Sequence, residues 1–138
     1  MDSVDLEVIR SAASWVKAGR GATLATVIRT WGSAPRPVGA MLVIRDDGHV
    51  IGSVSGGCVE EDMIEKVRAG ELASAKPGMI RYGVTKEQAE RFKLPCGGTL
   101  EIALEPLSKE SKLDELLAIV ERHELVARVL DMETGAAR

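Results

Sequence analysis

Hydrophobic and polar positions along the chain follow two different periods, which together predict an α/β protein. Apolar residues recur at three- and four-residue steps in three segments, the pattern of amphipathic helices: residues 3–18, 59–72 and 113–124. Six short runs are rich in apolar or β-branched residues and predict strands: residues 22–30, 40–45, 49–55, 79–84, 99–107 and 125–132. Capping-box patterns predict one further short helix over residues 85–92 and mark the start of the last helix at residues 111–114.

This order of elements predicts a single compact α/β domain with a mixed β-sheet flanked by helices. Asp46-Asp47-Gly48 is a hairpin turn signal, so the strands on either side of it should be antiparallel. No Gly-x-Gly-x-x-Gly opens a helix. We therefore do not expect a doubly wound Rossmann domain.

Composition and charge exclude several classes of protein. The chain has 138 residues, of which 45% are hydrophobic, enough for the core of one domain. The net charge of -3 gives no electrostatic footprint for nucleic acid, so we expect no nucleic-acid partner. No apolar run is long enough to span a bilayer, and the acidic N-terminus does not match a signal peptide. For this reason we expect no membrane partner. Two cysteines do not make a disulfide scaffold, so we expect a reduced, cytoplasmic protein.

The candidate chemistry begins at a Gly-Gly-Cys turn, Gly56, Gly57 and Cys58, between a predicted strand and a predicted helix. Glycines let the backbone approach a bound group, and the first N–H groups of a helix attract anions. With a thiol at the same point, the junction is a candidate site for an anionic or metal-bearing ligand. The alternative is structural, because buried cysteines are usually inert and Gly-Gly can simply form the turn. The three acidic residues at 60–62 suit the helix dipole but would repel a phosphate unless they point away from it.

Two other segments hold candidate binding residues. Cys96, Gly97 and Gly98 repeat the elements in reverse order, and the two thiols could face one pocket if both turns lie at one sheet edge. The loop at residues 31–39 holds Ser33 and Arg36 between rigid prolines and glycines. Arg36 suits bidentate contact with a phosphate, or it is a solvated arginine in a connector.

Several functions are compatible with these residues. The two thiols could serve a thiol-dependent oxidoreductase, since a helix N-terminus can lower a cysteine pKa. The glycine turns and Arg36 could instead form a nucleotide- or phosphate-binding module that acts with a separate partner chain. A purely structural interaction domain is the remaining alternative.

Three blocks of sequence, taken together, resemble the XdhC/CoxI family of accessory proteins for molybdenum hydroxylases. The blocks contain Trp-Gly-Ser-Ala-Pro-Arg, Gly-Ser-Val-Ser-Gly-Gly-Cys and Cys-Gly-Gly-Thr-Leu-Glu, and they lie at residues 26–41, 52–60 and 96–101. The resemblance implies a cofactor-binding and maturation protein rather than an enzyme. Such a protein binds molybdenum cofactor transiently, promotes its sulfuration by a cysteine desulfurase, and delivers it to a xanthine dehydrogenase- or CO dehydrogenase-type apoenzyme.

The resemblance also implies which residues bind the cofactor. Cys58 is the residue expected to contact it, and its thiolate could reach the molybdenum, a soft metal centre. The other motif positions expected at the site are Gly56, Gly57, Ser33, Arg36, Cys96, Gly97 and Gly98.

The resemblance implies that many members of the family continue into a C-terminal Rossmann-like domain, and we expect no such domain within these 138 residues. The chain would then be a natural single-domain member, one half of a split pair or a truncated piece of a longer protein. We therefore expect an XdhC/CoxI-like domain over residues 1–132 and a flexible tail over residues 133–138. A separate Rossmann-like chain or a homo-oligomer would then complete the site.

Overall fold

The computed structural model describes residues 3–32, 36–55, 59–70, 76–83 and 99–138. In these ranges it has the helices α1 (Ser3–Lys17), α2 (Glu60–Arg68) and α3 (Leu113–Glu121). Its strands are β1 (Ala22–Trp31), β2 (Met41–Arg45), β3 (Val50–Gly52), β4 (Gly78–Tyr82) and β5 (Thr99–Pro106). The predicted α/β class, with helices flanking one sheet and no doubly wound arrangement, is confirmed. The short helix predicted over residues 85–92 lies outside the described residues.

The five strands form one sheet in the order β3-β2-β1-β5-β4, and every described pairing in it is antiparallel. The expectation of a mixed sheet was wrong in this respect. Strands β1, β3 and β4 do run in the same direction, but β2 and β5 lie between them. No two neighbouring strands therefore run in the same direction. The helix between β3 and β4 in the chain does not make them a parallel pair, because they lie at opposite sides of the sheet.

Each face of the sheet is covered by its own hydrophobic cluster. Helix α2 packs on one face through Val59 and Met63, against apolar side chains of four strands and the residue before β2: Ala25, Val27, Ala40, Leu42, Ile44, Tyr82, Leu100, Ile102 and Leu104. Helices α1 and α3 cover part of the other face through Val8, Ala12, Ala13 and Leu113. None of the helices in the described ranges is long and apolar enough to cross a lipid bilayer.

The strand predicted over residues 125–132 is not formed, and this prediction was wrong. Residues of this segment make only an isolated bridge between Leu130 and Ala137. Strand β5, the strand that precedes this segment in the chain, already has β1 and β4 as neighbours, so neither of its sides is open to a further strand. The segment docks instead through Arg128, whose guanidinium pairs with the buried carboxylate of Glu105 and donates to the carbonyl of Ser111 at 2.7 Å.

The chain end and the last capping box also differ in detail from expectation. The capping box joins Ser108 and Ser111 and opens a 3₁₀ turn, Lys109–Ser111, three residues before the predicted position. The backbone of Arg138 exchanges hydrogen bonds of 2.8 and 3.0 Å with Val129. Flexibility of residues 133–138 is a dynamic property and stays a prediction.

Gly52, the last residue of β3, lets α1 pack directly on the sheet. Its φ is +95°, and a Cβ there would lie 2.3 Å from Cγ2 of Val8 and 2.5 Å from the carbonyl oxygen of Met41. Only a residue without Cβ fits both the backbone conformation and the contact with α1. The position of α1 over β3 therefore depends on this glycine.

We expect Gly52→Ala to destabilise the protein by ~2 kcal/mol more than Gly39→Ala, because it adds a steric clash to backbone strain. Gly39 is the matched control, since its φ is +94° and a Cβ there would meet nothing within 4 Å. Denaturant unfolding of the two variants measures the difference. Equal losses of stability would show that α1 does not press on Gly52.

Candidate functional site

The segments that carry the three sequence motifs all adjoin strand ends at the same edge of the sheet. The carboxyl ends of β1, β3 and β4 lie at that edge with the amino ends of β2 and β5, as the antiparallel order requires. We call it the motif edge, because the three motif segments, residues 32–40, 53–59 and 83–98, begin directly after β1, β3 and β4 in the sequence. The hairpin turn at residues 46–48 lies at the opposite edge.

Glu60, the first residue of α2, fastens both sides of the Gly-Gly-Cys turn. Its Oε2 accepts hydrogen bonds from the Ser53 hydroxyl at 2.8 Å and from the amides of Val54 and Ser55 at 3.1 and 3.2 Å. Its Oε1 accepts from the Ser55 hydroxyl and from the amide of Val59 at 3.2 Å. One carboxylate thus joins the end of β3 to the start of the helix across the turn.

These hydrogen bonds also fix the charge of Glu60. Burial acts to raise the pKa of this carboxyl, but the hydrogen bonds from Ser55 and Ser53 outweigh it and leave the pKa below its ordinary value. The ionised carboxylate is turned back toward the strand end, where donors compensate its charge. Glu61 is exposed, so the acidic residues after the turn do not act as one block of charge.

The first turn of α2 is also tied to the end of β4. The Tyr82 hydroxyl donates to Oδ2 of Asp62 at 2.6 Å, and Lys66 pairs with the same oxygen at 3.0 Å. Directly beyond Tyr82, the carbonyl of Gly83 accepts a hydrogen bond from the Thr99 hydroxyl at 3.1 Å. The residues that flank the two cysteine turns are therefore joined through one short series of contacts.

Arg36, the described member of the predicted site, contacts the end of β3. Its Nε donates to the carbonyl of Ser53 at 3.3 Å, and its guanidinium pairs with Asp5 of α1 at 3.4 Å. Asp5 also accepts from the amide of Met41 at 3.1 Å. Arg36 thus contacts Ser53, which lies three residues before the Gly-Gly-Cys turn in the sequence. The predicted contact between Arg36 and a phosphate stays a prediction.

The other predicted site residues lie outside the described part of the chain: Ser33, Gly56, Gly57, Cys58, Cys96, Gly97 and Gly98. Whether the two thiols share a pocket therefore stays a prediction. Among the described residues, no group of three or more His, Cys, Asp or Glu side chains could hold a metal ion.

A second group of charged and aromatic side chains lies at the motif edge, on the sheet face that α1 partly covers. The guanidinium carbons of Arg29 and Arg81 lie 5.7 and 5.8 Å from the centroid of the Trp31 ring. Arg81 pairs with Glu101, which is 2% exposed, whereas Trp31 is 43% exposed. We call Arg29, Trp31, Arg81 and Glu101 the arginine–tryptophan cluster.

Sequence reasoning missed both the role of Glu60 and this cluster. A glutamate in the middle of the apolar run at residues 99–107 was one available signal, because a buried carboxylate requires a cationic partner. The sequence does not predict which residue is that partner, because Arg81 lies opposite Glu101 only as a result of the register between β4 and β5.

Known proteins with similar sequences and structures are named after molybdenum enzymes or their assembly. The chain is 36% identical over 117 residues to the molybdenum cofactor insertion chaperone PaoD of Escherichia coli, a match that covers 85% of this chain and 35% of that protein. It is 33% identical over 95 residues to a protein of Bacillus subtilis named as a probable xanthine dehydrogenase subunit, covering 66% of this chain and 28% of that protein.

A similar fold occurs in the crystal structure of a xanthine dehydrogenase from Bacillus halodurans. The TM-score is 0.63 at 27% sequence identity, over 86% of this chain and 34% of that one. The chain thus spans about a third of the length of these relatives. The profile of the XdhC and CoxI family matches residues 15–83, which include the Pro-rich loop and the Gly-Gly-Cys turn. The sequence, the fold and the position of its motif segments agree: this chain belongs to the XdhC and CoxI family.

Proposed function

We propose that this chain binds molybdenum cofactor as its cargo and assists the maturation and insertion of that cofactor into a molybdenum hydroxylase. The enzyme served would be of the xanthine dehydrogenase or CO dehydrogenase type. The observation that carries the proposal is the motif edge, where all three motif segments leave the sheet together. The relative named as a cofactor insertion chaperone supports the same function.

The side chains at the motif edge suit the chemistry of this cargo, which joins a metal–dithiolene centre to a pterin and a phosphate. Cys58 would offer a soft thiolate to the metal, and Cys96 a second one. Gly56, Gly57, Gly97 and Gly98 would let the backbone approach the flat pterin, beside Ser33 and Arg36. Exposed guanidinium and indole groups at the same edge suit an anionic, aromatic ligand.

Delivery rather than catalysis is the role that we propose for this site. Membership of an accessory family and the name of the chaperone relative favour it over a thiol-dependent oxidoreductase. We extend the proposal to the partners that delivery requires: a cysteine desulfurase that sulfurates the bound cofactor, and the apoenzyme that receives it. A Rossmann-like domain or chain, or a second copy of this chain, would complete the site, and the cytoplasm is the compartment that we propose.

We expect the purified wild-type chain to bind molybdenum cofactor under anaerobic conditions and Cys58→Ala to bind it more than about tenfold more weakly. The reason is the loss of the thiolate that contacts the metal. Molybdenum and pterin per chain are the measured quantities, with thermal unfolding as the check that the variant is folded.

Cys96→Ala is the comparison for this experiment. Loss of binding in both cysteine variants would indicate a shared pocket, and loss in Cys58→Ala alone would indicate a single thiol contact. A folded Cys58→Ala protein that binds like wild type would contradict the role of Cys58. Failure of the wild type to bind, alone and with a Rossmann-like partner chain, would contradict the proposal.

The proposed site also depends on Glu60, because its carboxylate joins the described residues on either side of the Gly-Gly-Cys turn. In Glu60→Gln, a side-chain NH₂ group replaces one acceptor oxygen and cannot accept the hydrogen bonds from Ser53, Val54 and Ser55. We expect a loss of about 1–3 kcal/mol in the free energy of unfolding near neutral pH, together with weaker cofactor binding. Glu61→Gln, at the exposed neighbouring position, is the matched control.

The pH dependence of this loss follows from the lowered pKa of Glu60. The carboxylate contributes its full stability at pH values above the pKa that Glu60 has in the unfolded chain, about 4.5. This contribution is lost as the pH falls through the lower pKa of Glu60 in the folded protein. The stability gap between wild type and Glu60→Gln should therefore narrow as the pH is lowered from about 7 toward about 3. A gap independent of pH in denaturant unfolding would contradict the assignment of the ionised carboxylate as the acceptor.

A further inference from the structure

We propose that the arginine–tryptophan cluster binds a phosphate monoester carried by a flat heteroaromatic ring, with Arg29 and Arg81 holding the phosphate and Trp31 contacting the ring. The pterin cofactor and a purine mononucleotide are the two sources of this chemistry. That the cofactor is the physiological source rests on the function proposed above. The phosphate contact itself rests on the geometry of the cluster.

A β-bulge in β1 brings the cluster to one face of the sheet. Val27 pairs with Ile102 and Arg29 with Glu101, so Ile28 is an extra residue in the ladder between β1 and β5. In an uninterrupted ladder, Arg29 and Trp31 would face the core cluster under α2, because one residue of register reverses the face of every side chain. The bulge instead places Arg29 opposite Glu101 and Trp31 opposite Thr99. Such bulges commonly redirect side chains at functional sites.

The arginine–tryptophan cluster has one more positive than negative side chain, which leaves a guanidinium group available to bind an anion. Arg81 pairs with Glu101, the only carboxylate in the cluster. Arg29 makes no side-chain hydrogen bond or ion pair with the rest of the described chain, and it lies instead against the Trp31 ring. One negative charge thus faces two guanidinium groups. Guanidinium groups bind phosphate through paired, charge-assisted hydrogen bonds, so a phosphate would balance the second cation.

The position of Trp31 connects this phosphate site to the motif segments. Trp31 is the last residue of β1, directly before the Pro-rich loop, and it pairs with Thr99, the residue after the Cys-Gly-Gly turn. Its indole is 43% exposed, so a ring attached to the phosphate has aromatic surface to contact. A ligand held here would extend toward the two turns that carry the thiols. Arg36, by contrast, already contacts Asp5 and Ser53.

The test compares Arg29→Gln with Arg45→Gln for binding of two probes, molybdenum cofactor and guanosine 5′-monophosphate. Arg45 is the matched control because its guanidinium lies 5.1 Å from the Trp15 ring, in an arginine–tryptophan pair at the opposite edge of the sheet. Cofactor binding is measured anaerobically as molybdenum and pterin per chain. Nucleotide binding is measured by isothermal titration calorimetry, which leaves both tryptophans of the chain in place.

We expect Arg29→Gln to weaken binding about tenfold or more and Arg45→Gln to change it by less than about twofold. Inorganic phosphate should compete with either probe that binds. A second variant, Arg81→Gln with Glu101→Gln, removes the other guanidinium without leaving a buried carboxylate unpaired, and it should weaken binding similarly. This second variant keeps the test decisive if Arg29→Gln does not fold.

The possible outcomes distinguish failure of the phosphate site from failure of the proposed chaperone function. Unchanged cofactor binding in both cluster variants would overturn the phosphate site and leave the chaperone function in place. Binding of guanosine 5′-monophosphate alone, weakened in Arg29→Gln, would support the site, make a nucleotide its ligand and contradict delivery of the cofactor. Failure of the wild-type chain to bind either probe, both alone and with a Rossmann-like partner chain, would overturn both proposals.

Discussion

Backbone pairing of β1 with both β2 and β5 is the interaction on which the rest of the structure depends. Ten residues of β1 lie at the centre of the sheet, and their antiparallel pairing fixes the direction of β2 and β5, which in turn pair antiparallel with β3 and β4. The strand ends that adjoin the three motif segments therefore lie at one edge, although they are far apart in sequence. The bulge in the same strand then places Arg29 and Trp31 on the face of Glu101.

Charged side chains hold the motif edge together, and three of them, Glu60, Asp62 and Arg36, are paired with other described residues. Glu60 accepts from both sides of the Gly-Gly-Cys turn, and Asp62 accepts from Tyr82. Arg36 links α1 to the end of β3. A buried charge without a partner would be costly, so these contacts keep the ends of the turn segments at fixed positions. Such a framework suits a carrier, because the residues that contact the cargo can exchange while the supporting contacts remain.

The sequence predicted the three helices of the described ranges and the first five strands because their hydrophobic periods are strong and local. It also predicted the antiparallel hairpin of β2 and β3 from the turn at residues 46–48. It did not predict how the other strands pair, since whether β5 inserts between β1 and β4 depends on contacts distant in sequence. The strand predicted at residues 125–132 has apolar residues at strand spacing, but Leu125 and Val129 are exposed and no edge of β5 is free for it. Acidic residues after Cys58 were recognised as a problem for anion binding. Only the structure shows that the carboxylate of Glu60 points back to β3.

The central claim is that the motif edge is the surface that holds the cofactor. The most direct measurement is an anaerobic map of backbone amide chemical shifts, recorded for the chain with and without molybdenum cofactor. We predict changes at Trp31, Ser53, Glu60, Gly83 and Thr99 and none at the hairpin turn of residues 46–48 on the opposite edge. Shift changes centred on that hairpin, or spread evenly over both edges, would contradict the account.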